Sequence, residues 1–420
     1  MDTTQALALF QRLIQVPSVT ATPAEDAACA LLESVLDEYG VAHERVCETP
    51  DRPNLLARLP ASAPCGEPPL VLISHIDVAG GDETQWKFPM FGGEIREGRV
   101  CGRGTLDTKH LTIMELMAFT ALVGRPLCRD VVFVATVDEE AGSEHGMAAV
   151  KRLRPALFQN AEVINEGGGF PVFVQGKPYL TVTMGEKSIF RVRVSAKGAG
   201  GHASAPTGDQ AVVKLAAALE KLFAKPCLLE SGSRRIADAI ERLSGGQPLE
   251  GAAANLYDYA RGTSLSMRGW QLGERVNVLP ASTECVVEIK TRPHTEPDEV
   301  KGWLSERLAG TQAEWELLSF EDGFESDPDA PLLGLLAEGA KRAGHPLPLF
   351  PMLALGRTDG RFFGPEGSAV FGCSPCLEQD SFDRVLTMVH GPNESIAEAS
   401  FRFGCDTLTY AIATHCIKEV

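Results

Sequence analysis

The chain has 420 residues and a formal net charge of −17 at neutral pH. Its length exceeds one comfortable hydrophobic core, so two domains are expected, and its negative charge argues against nucleic acid or an anionic membrane surface as partners. No apolar stretch has the length of a membrane span, and the start lacks a basic region followed by an apolar core. Eleven cysteines are dispersed without framework spacing, so we expect a soluble cytoplasmic protein with reduced thiols.

The first part of the chain has the pattern of an α/β sheet. Apolar residues at helical spacing predict two helices between Asp2 and Tyr39, interrupted at prolines. Apolar runs then predict strands at 55–59, 70–76 and 130–137, with a helix at 112–122 between the last two. In such sheets, ligands bind beyond the carboxyl ends of the strands.

The pattern changes after Gly185. Strands are predicted at 188–196, 284–290 and 313–319, and helices at 210–223 and 299–308, which resembles a small β-α-β-β-α-β layer. We therefore expect an inserted α+β domain at 186–322. Helices predicted at 332–343 and 396–417 would return the chain to the first domain, which would comprise 1–185 and 323–420.

Potential metal ligands follow several strand-like runs. His75 and Asp77 leave the same face of a strand, because side chains on a strand alternate. Asp107 leaves a glycine-rich turn before a helix. The remaining candidates are Glu139, Glu140, Glu166 and His390, of which His390 follows the strand-like run 385–389. Imidazole and carboxylate groups of this kind can hold a cation once folding brings them together.

Eight short motifs in this order resemble the M20 metallopeptidases and aminoacylases. This family includes glutamate carboxypeptidase-like, acetylornithine deacetylase-like and succinyl-diaminopimelate desuccinylase-like enzymes. The resemblance covers nearly the whole chain, and the motifs are Ser74-His75-Ile76-Asp77-Val78, Trp86-x-x-Pro89, Gly102-Arg103-Gly104-x-x-Asp107-x-Lys109, Asp138-Glu139-Glu140, Gly201-His202-Ala203-Ser204-x-Pro206, Asn277-Val278-Leu279-Pro280, Thr358-Asp359-Gly360-Arg361-Phe362 and His390-Gly391-Pro392-Asn393-Glu394.

The resemblance implies a zinc-peptidase-type catalytic domain, with a mixed central sheet flanked by helices, and an inserted dimerisation or lid domain. It further implies two zinc ions, replaceable by cobalt or manganese, bridged by Asp107 and a water molecule. His75 and Glu166 would complete the ligands of one ion, and Glu140 and His390 those of the other. Asp77 would orient His75, and Glu139 would act as general base.

The resemblance also implies a homodimer in which His202 reaches the partner subunit's active site and stabilises the oxyanion. Asn277 would help to hold substrate across the same interface. Arg357 and Thr358 are further candidates for substrate binding, and Arg357 could bind a substrate carboxylate through its planar guanidinium group. The implied reaction is hydrolysis of an amide in a small N-acyl-amino acid, a dipeptide or the carboxyl end of a peptide, with a preference for the carboxypeptidase and N-acyl-amino-acid hydrolase branch.

Other interpretations of single residues exist. Asp107 alone could cap a helix, the two glutamates at 139 and 140 could form a solvated turn, and Arg357 could pair with Glu366 or Asp359. His110 and His145 lie close to predicted ligands in the sequence but match no family ligand.

Two other classes of function are weighed against the hydrolase. Gly198-x-Gly200-x-x-Ala203 partly fits a dinucleotide-binding fingerprint, but Pro206-Thr207-Gly208 follows where a helix should begin. A non-catalytic binding protein on the same fold would be expected to lack a ligand or the base, and here none is lacking.

The chain departs from the family pattern in two places. Lys290 occupies a strand position where many members carry arginine, so a carboxylate-binding role there is in doubt. The segment 225–271 is longer than a minimal inserted domain needs, and we predict that it modifies access of substrate.

Overall fold

The computed structural model describes residues 1–205, 208–224, 229–271 and 276–418. The chain divides into two compact units. The first unit comprises Met1–Gly185, Ala239–Leu256 and Glu325–Val420, and the second comprises Glu186–Asp238 and Tyr257–Phe324. This division differs from an uninterrupted inserted domain at 186–322, because the segment Ala239–Leu256 groups with the first unit.

The helices and strands of the described residues are numbered separately along the chain. The helices are α1 (Thr3–Ile14), α2 (Ala24–Glu38), α3 (Lys109–Thr120), α4 (Met147–Leu153), α5 (Ala211–Phe223), α6 (Arg235–Ser244), α7 (Gly251–Arg261), α8 (Pro297–Leu308), α9 (Pro331–Arg342), α10 (Phe382–Leu386) and α11 (Glu398–Cys416). The strands are β1 (His43–Val46), β2 (Asn54–Leu59), β3 (Leu70–His75), β4 (Ile95–Arg96), β5 (Arg99–Cys101), β6 (Val131–Thr136), β7 (Glu162–Asn165), β8 (Pro171–Val174), β9 (Lys177–Glu186), β10 (Ser188–Lys197), β11 (Gly201–His202), β12 (Ser264–Gln271), β13 (Val278–Leu279), β14 (Ser282–Thr291), β15 (Ala313–Glu321), β16 (Phe324–Glu325), β17 (Leu349–Ala354), β18 (Ala369–Gly372) and β19 (Ser395–Ala397).

A mixed sheet forms the centre of the first unit. Its order is β1-β2-β6-β3-β7-β18-β9-β16, with β8 and β17 also paired to β9. Strands β3 and β6 are parallel, and every residue in both is buried. Helix α3 is likewise buried along its whole length. Continuous apolar runs suit strands that are covered on both faces, and the predicted mixed sheet with flanking helices is confirmed.

Three neighbouring strands present the candidate site. Strands β6, β3 and β7 are parallel, so their carboxyl ends lie at one edge of the sheet. His75 ends β3, the turn with Glu139 and Glu140 follows β6, and Glu166 follows β7. This common edge explains how ligands that are far apart in sequence come together.

An antiparallel sheet forms the centre of the second unit. Its order is β12-β14-β10-β15, and α5 and α8 supply the helical side of its core. Apolar residues from both layers form that core, among them Phe190, Val287, Leu215 and Leu304. The order β10-α5-β12-β14-α8-β15 agrees with the β-α-β-β-α-β expectation. Strand β12 had not been predicted, because Ser266 to Gly269 in its middle are exposed and lack apolar alternation.

The structure corrects one local prediction close to the site. The run 385–389 before His390 is not a strand, because α10 occupies Phe382–Leu386. Phe382 and Val385 are buried at a helical spacing of three residues, so one face of a short helix accounts for the apolar pattern. In the described part of the chain, no helix is long and apolar enough to cross a membrane.

Candidate metal centre and active site

His75 is held in one orientation at the end of β3. Its side chain is buried, and Nδ1 lies 2.9 Å from the carbonyl oxygen of Asp77 and 3.5 Å from Asp77 Oδ1. A carbonyl oxygen can only accept a hydrogen bond, so Nδ1 donates. Nε2 therefore faces two carboxylates, at 3.1 Å from Asp107 Oδ1 and 3.5 Å from Glu166 Oε2. This is the orientation that a histidine ligand requires.

Asp107 lies between the two candidate histidine ligands. Its Oδ1 is 3.1 Å from His75 Nε2, and its Oδ2 is 3.1 Å from His390 Nε2. The carboxylate thus offers one oxygen to each side, as the resemblance implies for a bridging ligand. The peptide bond between Asp107 and Thr108 is cis.

His390 and Glu140 form the other side of the cluster. His390 Nε2 is 3.0 Å from Glu140 Oε2, and Glu140 Oε1 accepts a hydrogen bond of 3.0 Å from the backbone N–H of Ala79. The backbone of His390 is left-handed, with a φ of 59°. Its imidazole is half-exposed, whereas that of His75 is fully buried.

The ligand atoms form two groups that could each hold a cation. His75, Glu139 and Glu166 form one, and Asp107, Glu140 and His390 form the other; within each group the atoms lie within 4.8 Å of one another. All five predicted metal ligands are therefore brought together. Glu139, predicted to be the base, is itself a member of the first group.

The electrostatics of the cluster fit divalent cations. Burial and the charge of Glu166 raise the pKa of Glu139 well above its ordinary value, and burial raises the pKa of Glu166 to about 7. Hydrogen bonds to Asp107 and Glu140 raise the pKa of His390 to about 10. Closely spaced carboxylates thus need protons or other positive charge nearby, and a donor set of imidazole nitrogen and carboxylate oxygen suits zinc, cobalt or manganese.

Asp77 connects the His75 side of the cluster to the turn after β6. Its Oδ1 accepts from the backbone N–H of Glu139 at 3.2 Å, and its Oδ2 accepts from that of Glu140 at 3.3 Å. The hydroxyl of Thr20 donates to the same Oδ2 at 2.8 Å. Asp77 is therefore placed to hold both the imidazole and the backbone that carries the candidate base.

An arginine that the sequence analysis did not single out lies beside the candidate base. Arg361 Nη1 is 3.7 Å from Glu139 Oε1 and donates at 2.9 Å to the carbonyl oxygen of Thr358. Arg361 Nη2 donates to the carbonyl oxygen of Gly142 at 2.9 Å and to Ser143 Oγ at 3.0 Å. Arg361 belongs to the motif Thr358-Asp359-Gly360-Arg361-Phe362. It lies more than 200 residues from Glu139 in the sequence, so no local sequence pattern predicts that the two side chains are close.

A cavity of about 260 Å³ opens on the cluster. Its polar end includes Asp107, Glu139, Glu140, Glu166 and His390. Arg357 and Thr358 also line it, as their predicted role in substrate binding requires, although the Thr358 hydroxyl already accepts hydrogen bonds from Asn165 and Gly360. Much of the remaining wall is apolar and includes Phe170, Met352, Phe382, Val385, Leu386 and Val389.

His202 and Asn277 lie together in the second unit, on the surface. Strand β11 pairs with β13, which places His202 opposite Val278, and the backbone N–H of Ala203 donates to the carbonyl oxygen of Asn277 at 2.9 Å. His202 Nδ1 lies 2.7 Å from the hydroxyl oxygen of Ser204 and 3.3 Å from the backbone nitrogen of the same residue. Because Ser204 contacts Nδ1, Nε2 is the ring nitrogen available to a ligand. Pro206, in the same motif, lies outside the described residues.

His110 and His145 stay outside the cluster. His110 is fully buried, burial lowers its pKa to about 3, and neither ring nitrogen has a hydrogen-bond partner among the described residues. His145 is tied through its backbone to Asp138 and Asn54. Neither histidine belongs to the two groups of candidate ligands.

The fold and the cluster together define a metal-dependent hydrolase. A family model described as "Peptidase family M20/M25/M40" matches residues 71–414, and the chain belongs to that family. The predicted family is thereby confirmed.

Curated relatives and solved structures extend over most of the chain. The N-fatty-acyl-amino acid synthase/hydrolase PM20D1 of Bos taurus is 26% identical over 92% of this chain and 83% of its own length. Aminoacylase-1 of Mus musculus is 25% identical over 96% of this chain and 93% of its own. The crystal structure of an M20 family metallo-carboxypeptidase, Sso-CP2 from Sulfolobus solfataricus, aligns with a TM-score of 0.73 and 19% identity over 98% of this chain and 100% of that one, which shows the shared fold.

Proposed function

We propose that the protein is a di-zinc amidohydrolase that cleaves the amide of an N-acyl-amino acid with an apolar acyl group. The observation that carries this proposal is the apolar cavity wall that begins at the carboxylate and imidazole cluster. An apolar acyl chain gains about 0.8 kcal/mol for each methylene that it buries. The similarity to the N-fatty-acyl-amino acid synthase/hydrolase and to aminoacylase-1 supports the same substrate class.

Five residues would bind the two zinc ions, and Glu139 would transfer protons. His75, Asp107 and Glu166 would hold one zinc ion, and Asp107, Glu140 and His390 the other. The ions would supply a water of lowered pKa and polarise the scissile carbonyl. Glu139 would take the proton of the attacking water and pass it to the leaving amine. Its raised pKa suits a carboxylate that must accept a proton and then release it.

Substrate orientation would depend on cationic and polar groups. Arg357 lines the cavity and would bind the carboxylate of the amino-acid product. His202 would donate from Nε2 to the oxyanion in the active site of a partner subunit, and Asn277, beside the adjoining strand pair, would help to hold the substrate. The active enzyme would then be a homodimer, since each site would need a residue from the other chain.

The proposal is tested with the zinc-loaded protein and a panel of substrates that share one amino acid. N-acetyl-, N-butanoyl-, N-hexanoyl- and N-octanoyl-leucine are compared with glycyl-leucine and leucyl-leucine, and the products are identified by mass. We expect kcat/KM to rise about fourfold for each methylene until the cavity is filled. Faster cleavage of the dipeptides than of every N-acyl substrate would instead favour a dipeptidase or carboxypeptidase.

A further inference from the structure

A buried ion pair lies behind the candidate metal centre, and no role in the reaction has yet been assigned to it. Arg103 Nη1 is 2.8 Å from Glu394 Oε2, and both side chains are almost completely buried. The two residues are far apart in the sequence, and they belong to the two motifs that also contain Asp107 and His390. Each member therefore lies close in sequence to a candidate ligand.

Glu394 is hydrogen-bonded to the backbone around Asp107. Its Oε1 accepts from the N–H of Leu106 at 2.6 Å and from the N–H of Asp107 itself at 3.2 Å. Its carbonyl oxygen accepts from the N–H of Gly102 at 3.0 Å. The carboxylate thus fixes the peptide that carries the candidate bridging ligand, while its second oxygen is taken by Arg103.

Arg103 extends the same connection to His390. Its Nη2 donates to the carbonyl oxygen of His390 at 3.1 Å, and its guanidinium carbon lies 5.3 Å from the centre of the Trp86 ring. The ring and the ion pair restrict the guanidinium, because a planar cation over an aromatic face is favourable. The Arg103–Glu394 pair is therefore bonded to the backbones of Asp107 and His390, which belong to one cation group.

The other cation group has a different support. His75 is held by the carbonyl and carboxylate of Asp77, and the Arg103–Glu394 pair makes its described hydrogen bonds on the Asp107 and His390 side alone. Asp77 also accepts from the N–H of Glu140 and Asp107 contacts both histidines, but in the described residues the side chains of the Arg103–Glu394 pair make no hydrogen bond to His75 or Glu166.

We infer that Arg103 and Glu394 are positioning residues for the cation group of Asp107, Glu140 and His390, and that they affect the affinity of that group much more than the affinity of the site with His75 and Glu166. The inference rests on the proposed two-metal function. Partners behind metal ligands change metal affinity by about 10- to 100-fold when they are replaced. A pair that only stabilised the fold would leave the affinities of the two ions in their original ratio.

The test is a zinc titration of metal-free protein by calorimetry with a competing chelator. We expect Glu394→Gln to weaken one of two zinc sites by about 10- to 100-fold and to change the other by less than about threefold. Arg103→Lys, which keeps the charge but loses the planar contact with the His390 carbonyl, should weaken the same site. In a His390→Ala background, Glu394→Gln should change the remaining site by less than about threefold.

A matched control is available at the opposite end of the central strands. Arg129 Nη1 pairs with Glu162 Oε2 at 2.7 Å, and Glu162 begins β7, whereas the cluster lies beyond its carboxyl end. Glu162→Gln should leave both zinc affinities unchanged. Equal weakening of both sites by Glu394→Gln, or no weakening of either, would overturn the inference.

Folding and turnover are read separately from zinc affinity. Thermal unfolding of each metal-free variant identifies a variant that does not fold, and Arg103→Lys, the milder change, then decides the question. If the unaltered protein binds two zinc ions but hydrolyses none of the substrate panel, the proposed substrate fails while the positioning role is still tested by the titration.

Discussion

Leu386 provides a direct measure of how much the apolar wall contributes to substrate choice. It lines the cavity from α10, and its side chain is 53% exposed. Leu386→Ala should therefore cost little folding free energy, because most of what it removes already faces solvent. An acyl chain that packs against this leucine would lose part of its apolar contact.

The size of the effect follows from the area that the substrate can cover. Leucine to alanine removes about three carbons, each contributing about 0.8 kcal/mol when fully buried. Since about half of the leucine is accessible to a ligand, the loss is about 1.2 kcal/mol, or about eightfold in kcat/KM. This loss applies to long acyl chains, whereas an acetyl group would not reach the whole wall.

The assay compares kcat/KM for N-octanoyl-leucine and N-acetyl-leucine in the Leu386→Ala variant and the unaltered enzyme. We expect an approximately eightfold decrease for the octanoyl substrate and less than about twofold for the acetyl substrate. Leu153→Ala, at a leucine that is 39% exposed but does not line this cavity, is the control and should affect neither. Equal decreases for both acyl lengths would refute the reasoning, since they would show that Leu386 does not discriminate chain length.

Three further experiments test the proposed base, the candidate metal ligand His390 and the role of His202 in the second unit. Glu139→Gln should still bind zinc, but its kcat should fall by about 100- to 10,000-fold because the general base is lost. Glu144→Gln, on the exposed turn, is the control and should be active. Substantial turnover by Glu139→Gln would exclude Glu139 as the base. The pKa of His390 is raised to about 10 in the metal-free protein, so its ring is protonated at neutral pH. Zinc binds the neutral ring, so the affinity of the site that contains His390 should rise about tenfold per pH unit between about pH 6 and 8 and fall as the pH falls, and a pH-independent titration would contradict this. His202→Ala and Glu139→Gln should each be inactive as homodimers. After subunit exchange in a 1:1 mixture, about one quarter of the activity should return, because half of the dimers would be mixed and each mixed dimer would contain one intact site. A mixture that stays inactive after exchange would argue against a site shared between subunits.

The central strands could be predicted from sequence because each is marked by a short continuous run of apolar residues. Continuous apolar runs identify β3 and β6, and polar residues immediately beyond them identify His75 and the turn at Glu139. Parallel pairing then brings these strand ends together without any knowledge of distant contacts. The structure accordingly brings the candidate ligands together, and their assigned roles stay predictions.

Other features depend on contacts that no local pattern reports. Strand β12 lies at the edge of its sheet with an exposed polar middle, so it lacks the alternation that identifies a half-buried strand. The segment Ala239–Leu256 lies within the predicted insert of 225–271 but groups with the first unit. Four residues of this segment line a surface cavity together with Phe173 and Asp383, namely Pro248, Glu250, Gly251 and Ala252. Residues 225–228 of the predicted insert lie outside the described residues.

That surface cavity suggests how the segment 225–271 would affect substrate access, because its lining includes a residue of α10. Asp383 belongs to α10, and the same helix contributes Phe382, Val385 and Leu386 to the apolar wall of the active-site cavity. A helix of five residues makes few hydrogen bonds of its own, so its position depends on the surfaces that it packs against. Changes at Pro248 or Glu250 would therefore be expected to act on acyl-chain preference through α10, and to leave the affinities of the two proposed zinc sites unchanged.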